Sequence, residues 1–307
     1  MISVIVCTYN RCAILKRMLV SFAAQEADGP VEHELILVDN HSSDQTREIF
    51  EGFRGRDNWH YLYEEQQGLS FARNAGVAAA RGEIVAFLDD DVLVERKWLV
   101  NLDLCFRESG AAVVGGRSRL IFEATPPAWI GPIFEKVLSL VDFGPQRKQL
   151  ASGAELFGLN IAYKKDELLR QGGFDSRVGR TSNILLSGEE TALTGRIARA
   201  GGRIFYEPDA VVGHLIGPER LAWRYMRRSF VGSGRTQIRL QAGNQAAVSR
   251  ADFAAGGWNL LLEFLRAALA KVRPLGPYRR KYKAALFWLT WGRFCESWSQ
   301  LKLKAVD

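Results

Sequence analysis

Over residues 1–91, short apolar runs alternate with segments in which apolar side chains recur at helical spacing. The runs predict strands at Ser3–Thr8, Glu34–Asp39, His60–Tyr63 and Ile84–Leu88. The helical period predicts helices at about Cys12–Gln25, Asp44–Phe53 and Phe71–Ala80, with Ser43 and Ser70 as N-caps. Such regular alternation makes a parallel sheet with crossover helices on its faces. Ligands of such a sheet lie at the carboxyl ends of the strands, near the point where strand order reverses. The loops Thr8-Tyr9-Asn10-Arg11, Asp39-Asn40-His41 and Asp89-Asp90-Asp91 should therefore converge on one crevice.

The pattern continues with a helix near Lys97–Arg107 and a strand at Ala112–Gly116. Residues 117–154 read as irregular, with Pro126-Pro127, Trp129 and Pro132, and a stretch of that kind in a compact domain is expected to be a functional flap. A strand at Leu159–Tyr163, helices near Asp166–Gln171 and Glu190–Ala200, and a strand at Arg203–Val212 follow, and no internal repeat is visible. Two apolar stripes at helical spacing close the chain. One is Trp258, Leu261, Leu262, Leu265, Leu269 and Val272, and the other is Phe287, Trp291, Phe294, Trp298 and Leu301, preceded by Arg279-Arg280-Lys281-Tyr282-Lys283.

With 307 residues, 47% hydrophobic and 24% charged, the chain has ample material for a core, which excludes disorder and fibrous repeats. No apolar run reaches the roughly 18 to 20 residues of a membrane-spanning helix. Met1-Ile2-Ser3-Val4-Ile5-Val6 lacks a basic leader and reads as a first strand, so a cytosolic location is expected. Four dispersed cysteines, Cys7, Cys12, Cys105 and Cys295, are then expected to be reduced. Net charge is +7, yet residues 218–307 hold 17 Lys and Arg against 5 Asp and Glu. An acidic body therefore carries a basic tail, and the ordinary partners of such a tail are nucleic acid and an anionic membrane face.

The candidate chemistry begins with Asp89-Asp90-Asp91, three carboxylates at the tip of a buried strand. Their mutual repulsion calls for a cation, and a divalent metal answers it. His214 follows Gly213 at the end of the strand through Val212, as a metal ligand or a satisfied structural histidine. Carboxylate and imidazole together suit Mn2+ or Mg2+, with a nucleotide diphosphate completing the octahedron. Glu189 and Glu190 open a helix, where they complement its dipole or supply a general base. Arg73 and Asn74 are placed on the first turn of a helix, facing a base or phosphates or simply solvated. Asp39 either caps the following turn or accepts a hydrogen bond from a pyrimidine ring N–H.

Taken in order, Val4 through Arg11, Leu37 through Asp44, Gly68 through Gly76, Phe87 through Asp91, Gly172 through Asp175, Gly188-Glu189-Glu190 and His214 form a specific series. It resembles the family 2 glycosyltransferases, the inverting group with the GT-A fold, over about residues 1–235. The resemblance implies a Rossmann-like, mostly parallel α/β sheet over residues 1–217, with a nucleotide-binding half to 91 and an acceptor half beyond, and a helical extension over 218–307. It implies that Thr8, Tyr9, Asn10, Arg11, Asp39, Arg73, Asn74, Asp89 and Asp90 hold the nucleotide sugar. Asp91 and His214, with Asp89, would bind the metal. Glu190 stands where the family has the aspartate of a Glu-Asp pair, so either Glu190 or its neighbour Glu189 is the base.

The Gln-x-x-Arg-Trp signature of processive synthases does not follow Glu190, which favours transfer of a single sugar. The expected partners are a nucleotide-diphosphate sugar, UDP-linked by preference, and a saccharide or lipid-linked acceptor of envelope or exopolysaccharide synthesis. Two rivals are a nucleotidyltransferase and a non-catalytic saccharide- or nucleic-acid-binding protein. The first would usually carry a Gly-rich basic loop after the first strand, where this chain has Thr8-Tyr9-Asn10-Arg11. Intact carboxylates at three separate positions argue against the second. The tail helices are expected either to pack on their own domain or form a homodimer, or to lie on an anionic leaflet at the inner face of the cell membrane. Nucleic acid is the less favoured partner.

Overall fold

Strand β1 (Ile2–Thr8) is buried on both faces, as a central parallel strand must be. Val4 and Val6 enter one hydrophobic cluster and Ile5 the other, so the two-residue period feeds two cores. The computed structural model describes residues 1–27, 31–151, 153–176, 188–243, 249–272 and 275–303. After β1 come α1 (Cys12–Ala23), a 3-10 turn at Ala24–Ala27, β2 (His33–Asp39), α2 (Thr46–Glu51), β3 (Trp59–Tyr63), α3 (Leu69–Ala79) and β4 (Ile84–Asp89). The chain continues through β5 (Val92–Val94), α4 (Trp98–Ser109), β6 (Val113–Phe122), α5 (Pro132–Val137), β7 (Lys148–Gln149), β8 (Asn160–Lys164), α6 (Lys165–Arg170), α7 (Glu189–Arg199) and β9 (Ile204–Ile216). Four helices end it: α8 (Pro218–Leu221), α9 (Trp223–Gly243), α10 (Arg250–Val272) and α11 (Pro277–Leu303).

The strands form one nine-stranded sheet in the order β3-β2-β1-β4-β8-β6-β9-β5, with β7 on β9. β3, β2, β1 and β4 are parallel, as the alternation over residues 1–91 requires. Beyond β4 the pairings of β8 with β4 and β6, and of β9 with β5 and β7, are antiparallel. The chain steps outward from β1 to β2 and β3, then returns across β1 to β4, so strand order reverses at the carboxyl end of β1. Leu15, Met18, Leu19 and Phe22 of α1 pack on the Val4 side with Trp98 and Leu102 of α4. Ala72 and Val77 of α3, with Leu193 and Ile197 of α7, cover the Ile5 side.

Several expectations are corrected. β6 runs on to Phe122, so residues 117–122 are strand, and α5 and β7 interrupt the rest of the supposed irregular segment. β9 extends to Ile216, which puts His214 inside the strand. Neither serine is an N-cap. Gln45 and Gly68 hold those positions. Asp44 accepts hydrogen bonds from Thr46 N and Cys12 N, and Ser70 Oγ donates to Asp175 O.

Two compact units are resolved. One comprises Met1–Ile121, Ser139–Gly179 and Glu189–Leu215, and the other Phe122–Leu138, Arg180–Gly188 and Ile216–Asp307. In the first, Asn160 ties β8 to its neighbours. Its amide donates to Arg117 O and Ala210 O, both at 2.9 Å, and its Oδ1 accepts from the Trp98 indole at 2.8 Å. Asn160→Ala would remove these hydrogen bonds, each worth about 0.5 to 1.5 kcal/mol net. Urea unfolding should show a loss of roughly 2 to 4 kcal/mol, and an unchanged midpoint would contradict this role.

Candidate active site

At the reversal point, the loops after β1 and β2 are stitched together. Asn10 takes a left-handed φ of 52° and His41 one of 69°, a region uncommon for non-glycine residues in which Asn and His are enriched. Asn10 N donates to Ser42 Oγ, and Asn10 Oδ1 accepts from Ser43 N at 2.7 Å. Asp39 is buried beside them. Its Oδ1 accepts from Ser42 N at 2.9 Å and its Oδ2 from the Tyr61 hydroxyl at 2.6 Å, so it caps the turn. Tyr9 is exposed on the rim.

The three aspartates separate into two environments, because β4 ends at Asp89 and the chain turns through Asp90 and Asp91. Asp90 turns toward β1, where Thr8 Oγ1 donates to its Oδ2 at 2.7 Å. Arg11 bridges the next pair, with Nη1 2.6 Å from Asp90 Oδ1 and Nη2 2.9 Å from Asp91 Oδ2. Burial, reinforced by Asp91, pushes Asp90 up to about 7 against the pull of Arg11. Asp89 lies on the opposite side, 3.8 Å from Arg73.

His214 reaches the cluster through β5, a three-residue strand with no sequence signal of its own. β5 pairs antiparallel with β9, setting Val92 opposite His214, and Leu215 N donates to Asp91 O. His214 Nε2 thereby stands 3.4 Å from Asp91 Oδ1, with both side chains almost fully buried. Two donors of one divalent cation stand roughly 3 Å apart, so this pair fits a metal. Among the described residues no three His, Cys, Asp or Glu side chains gather as a metal cluster. Asp89, the expected third ligand, lies beside Arg73 in this structure. A two-donor protein site suits Mg2+ or Mn2+, which take their remaining oxygens from phosphate and water.

Arg73 differs most from expectation. It lies in the second turn of α3, is 3% exposed, and faces inward. Its guanidinium sits against the rings of Phe87 and Phe174. Nη1 is 2.6 Å from Glu189 Oε1 and 3.7 Å from Glu190 Oε2. Asn74 is spent on the Gly172-Gly173-Phe174 turn, donating to Phe174 O and accepting from Phe174 N.

One buried arginine thus serves two buried carboxylates. Glu189 takes the close ion pair, while Glu190 keeps a 3.2 Å hydrogen bond from Gly158 N. Burial first, then the charge of Glu189, push Glu190 up to about 7, with Arg73 pulling the other way. Each glutamate has one buried oxygen, Oε2, that accepts no hydrogen bond among the described residues. Gly158 is a functional position that pattern reading missed. A Cβ there would stand 1.9 Å from Arg73 Nη2, so only glycine lets the guanidinium approach. A glycine just before a strand was the available signal.

The sheet order defines a mixed, nine-stranded α/β fold of GT-A-like type. Over the whole chain it resembles the mannosyltransferase PcManGT from Pyrobaculum calidifontis, solved with GDP-Man and Mn2+ (TM-score 0.64, 23% identity, 95% of this chain and 86% of that one). It also resembles S. aureus TarS 1-349 solved with UDP (TM-score 0.57, 21% identity, 97% and 91%). Residues 3–166 match the glycosyl transferase family 2 domain, and the chain belongs to that family. The succinoglycan biosynthesis protein ExoM of Rhizobium meliloti is 31% identical over 264 residues, covering 84% of this chain and 78% of that protein. The glucosyl-dolichyl phosphate glucuronosyltransferase of Haloferax volcanii is 27% identical over 222 residues, 70% and 69%. Membership in this family sets the nucleotidyltransferase reading aside.

Breaking a buried ion pair from one side leaves an uncompensated charge, at about 3 to 5 kcal/mol. Arg73→Met should therefore destabilise the protein on that scale in urea at pH 8. Adding Glu189→Gln to Arg73→Met should restore part of the loss. Additive damage from the two changes would show that the pair is not coupled.

Proposed function

We propose that this glycosyltransferase is inverting and non-processive, moving one sugar from a nucleotide-diphosphate sugar, UDP-linked by preference, to a hydroxyl of a saccharide or lipid-linked acceptor. The observation that carries this reading is Glu190: a buried carboxylate, left with the weaker share of Arg73, whose affinity for a proton is raised to about 7. A general base works best when its pKa lies near the working pH. Glu190 takes the proton of the acceptor hydroxyl as that oxygen attacks the anomeric carbon. The bond from that carbon to the diphosphate oxygen breaks on the opposite face, and the nucleoside diphosphate leaves. Glu189, tied to Arg73, holds the pair in place.

Arg11 is the cation placed to meet the diphosphate, since its side chain is 35% exposed while that of Arg73 is 4% exposed. Tyr9 and Asn10 line the rim toward the nucleoside, and Thr8 and Asp90 fix Arg11 from below. Asp91 and His214 would hold Mn2+ or Mg2+, which when bound neutralises charge on the diphosphate. Support for the donor class comes from the relatives, one solved with GDP-Man and Mn2+ and one with UDP. The succinoglycan relative favours an acceptor in exopolysaccharide synthesis.

Glu190→Gln should retain nucleotide affinity while transfer falls on the order of a hundredfold or more. If Glu189→Gln is the more damaging with binding intact, the base is the other residue. For the native enzyme, the base must be deprotonated to act, so transfer should rise with pH through about 7 and level off above it. A profile flat from pH 5 to 9 would remove Glu190 from the reaction. Thermal-shift titration with nucleotide diphosphates should show stabilisation by UDP with Mn2+ that Asp91→Asn abolishes. Unaltered, Mn2+-independent UDP binding in that variant would rule out the Asp91–His214 site.

A further inference from the structure

In the second unit, α11 lies between α9 and α10. It meets α9 at backbone distance: a Cβ on Gly234 would touch Leu289 O, and one on Gly292 would touch Val231 O. Arg239 bonds Glu296 and Arg293 bonds Gln237 across this seam. On its other side α11 takes up α10, through Phe253 stacked on Phe294 at 4.7 Å and Phe264 against Phe287 at 5.9 Å. The second apolar stripe of the sequence is thus partly used inside the unit, with Trp291 39% and Trp298 48% exposed.

The first stripe is not. Trp258 is 69% exposed and Leu261, Leu262, Leu265 and Leu269 are 44 to 50% exposed. At 100° per residue these five fall within a sector of about 100°, the outward face of α10. The side chain of Val272, the sixth position, lies outside the described residues. From Phe253 to Ala270 the only charged residues are Glu263 and Arg266, which pair with each other. The face therefore offers a continuous apolar strip whose sole polar handle is the Trp258 indole.

We propose that this face of α10 lies in the plane of an anionic lipid leaflet. A protein partner would normally find about one hydrogen bond per 100 to 200 Å2 of interface, and this strip offers almost none. Lipid demands no such directional bonds, and a tryptophan settles well where acyl chains meet headgroups. Charge is complementary: residues 218–307 carry 17 basic against 5 acidic side chains, and Arg279 and Arg280 are exposed at the start of α11. No helix among the described residues is long and apolar enough to cross a membrane, so the strip serves in-plane binding. This inference stands independently of the transfer reaction.

The test is cosedimentation of the full chain with vesicles of phosphatidylcholine alone or with 30% phosphatidylglycerol. Binding to the anionic vesicles should exceed binding to neutral ones by at least tenfold and should weaken in 0.5 M NaCl, since the charge contribution is screened. Leu262→Glu with Leu265→Glu should reduce vesicle binding at least tenfold. Both positions face outward, so thermal unfolding should not change. If it does, Trp258→Ser, at the most exposed position, replaces that variant. Arg279→Glu with Arg280→Glu should weaken only the anionic preference. Failure of the wild type to bind anionic vesicles, or binding unaffected by loss of the strip, overturns the proposal. So does a dimer in sedimentation velocity that the Leu262 and Leu265 changes convert to monomer, since a second copy would then cover the face.

Discussion

The site depends on a shortage of positive charge. Glu189 and Glu190 are both buried, and Arg73 can satisfy only one of them fully. Burial first, and then the like charge of Glu189 under one shared cation, raise the Glu190 carboxyl to about 7. In a second cluster Arg11 meets both Asp90 and Asp91, and burial first, with Asp91 adding to it, raises Asp90. Both clusters hold a carboxylate whose proton is exchangeable under working conditions, which is what acid–base and ion-binding chemistry needs.

Much of the surrounding architecture serves to keep these charges where they are. The parallel half of the sheet brings the ends of β1, β2 and β4 together, and the hydrogen bonds of Asn10 with Ser42 and Ser43 tie the first two loops to each other. Gly158 admits the guanidinium of Arg73, and Phe87 and Phe174 enclose it. Asn74 holds the Phe174 turn against α3. On the antiparallel side, the short pairing of β5 with β9 carries His214 to Asp91 across 123 positions of sequence. These devices are polar and directional, unlike the cores on either face of the sheet, and they set side-chain positions that hydrophobic burial alone leaves free.

What the sequence determined by itself was local. The two-residue and helical periods located β1 to β4 and α1 to α3, and the order of those elements required loops after β1, β2 and β4 to meet, as they do. The residue types at those loops announced carboxylate and cation chemistry. Tertiary structure alone decided which charge met which. Arg73 and Asn74 read as nucleotide contacts, yet α3 packs so that Arg73 turns inward to Glu189, 116 residues away, and Asn74 to Phe174. Asp89 parted from Asp91 because the chain turns between them. The apolar stripe of α10 was legible from its spacing, but periodicity states only that a helix has an apolar face. Whether that face is covered depends on the neighbours the fold supplies, and here α11 took the opposite side.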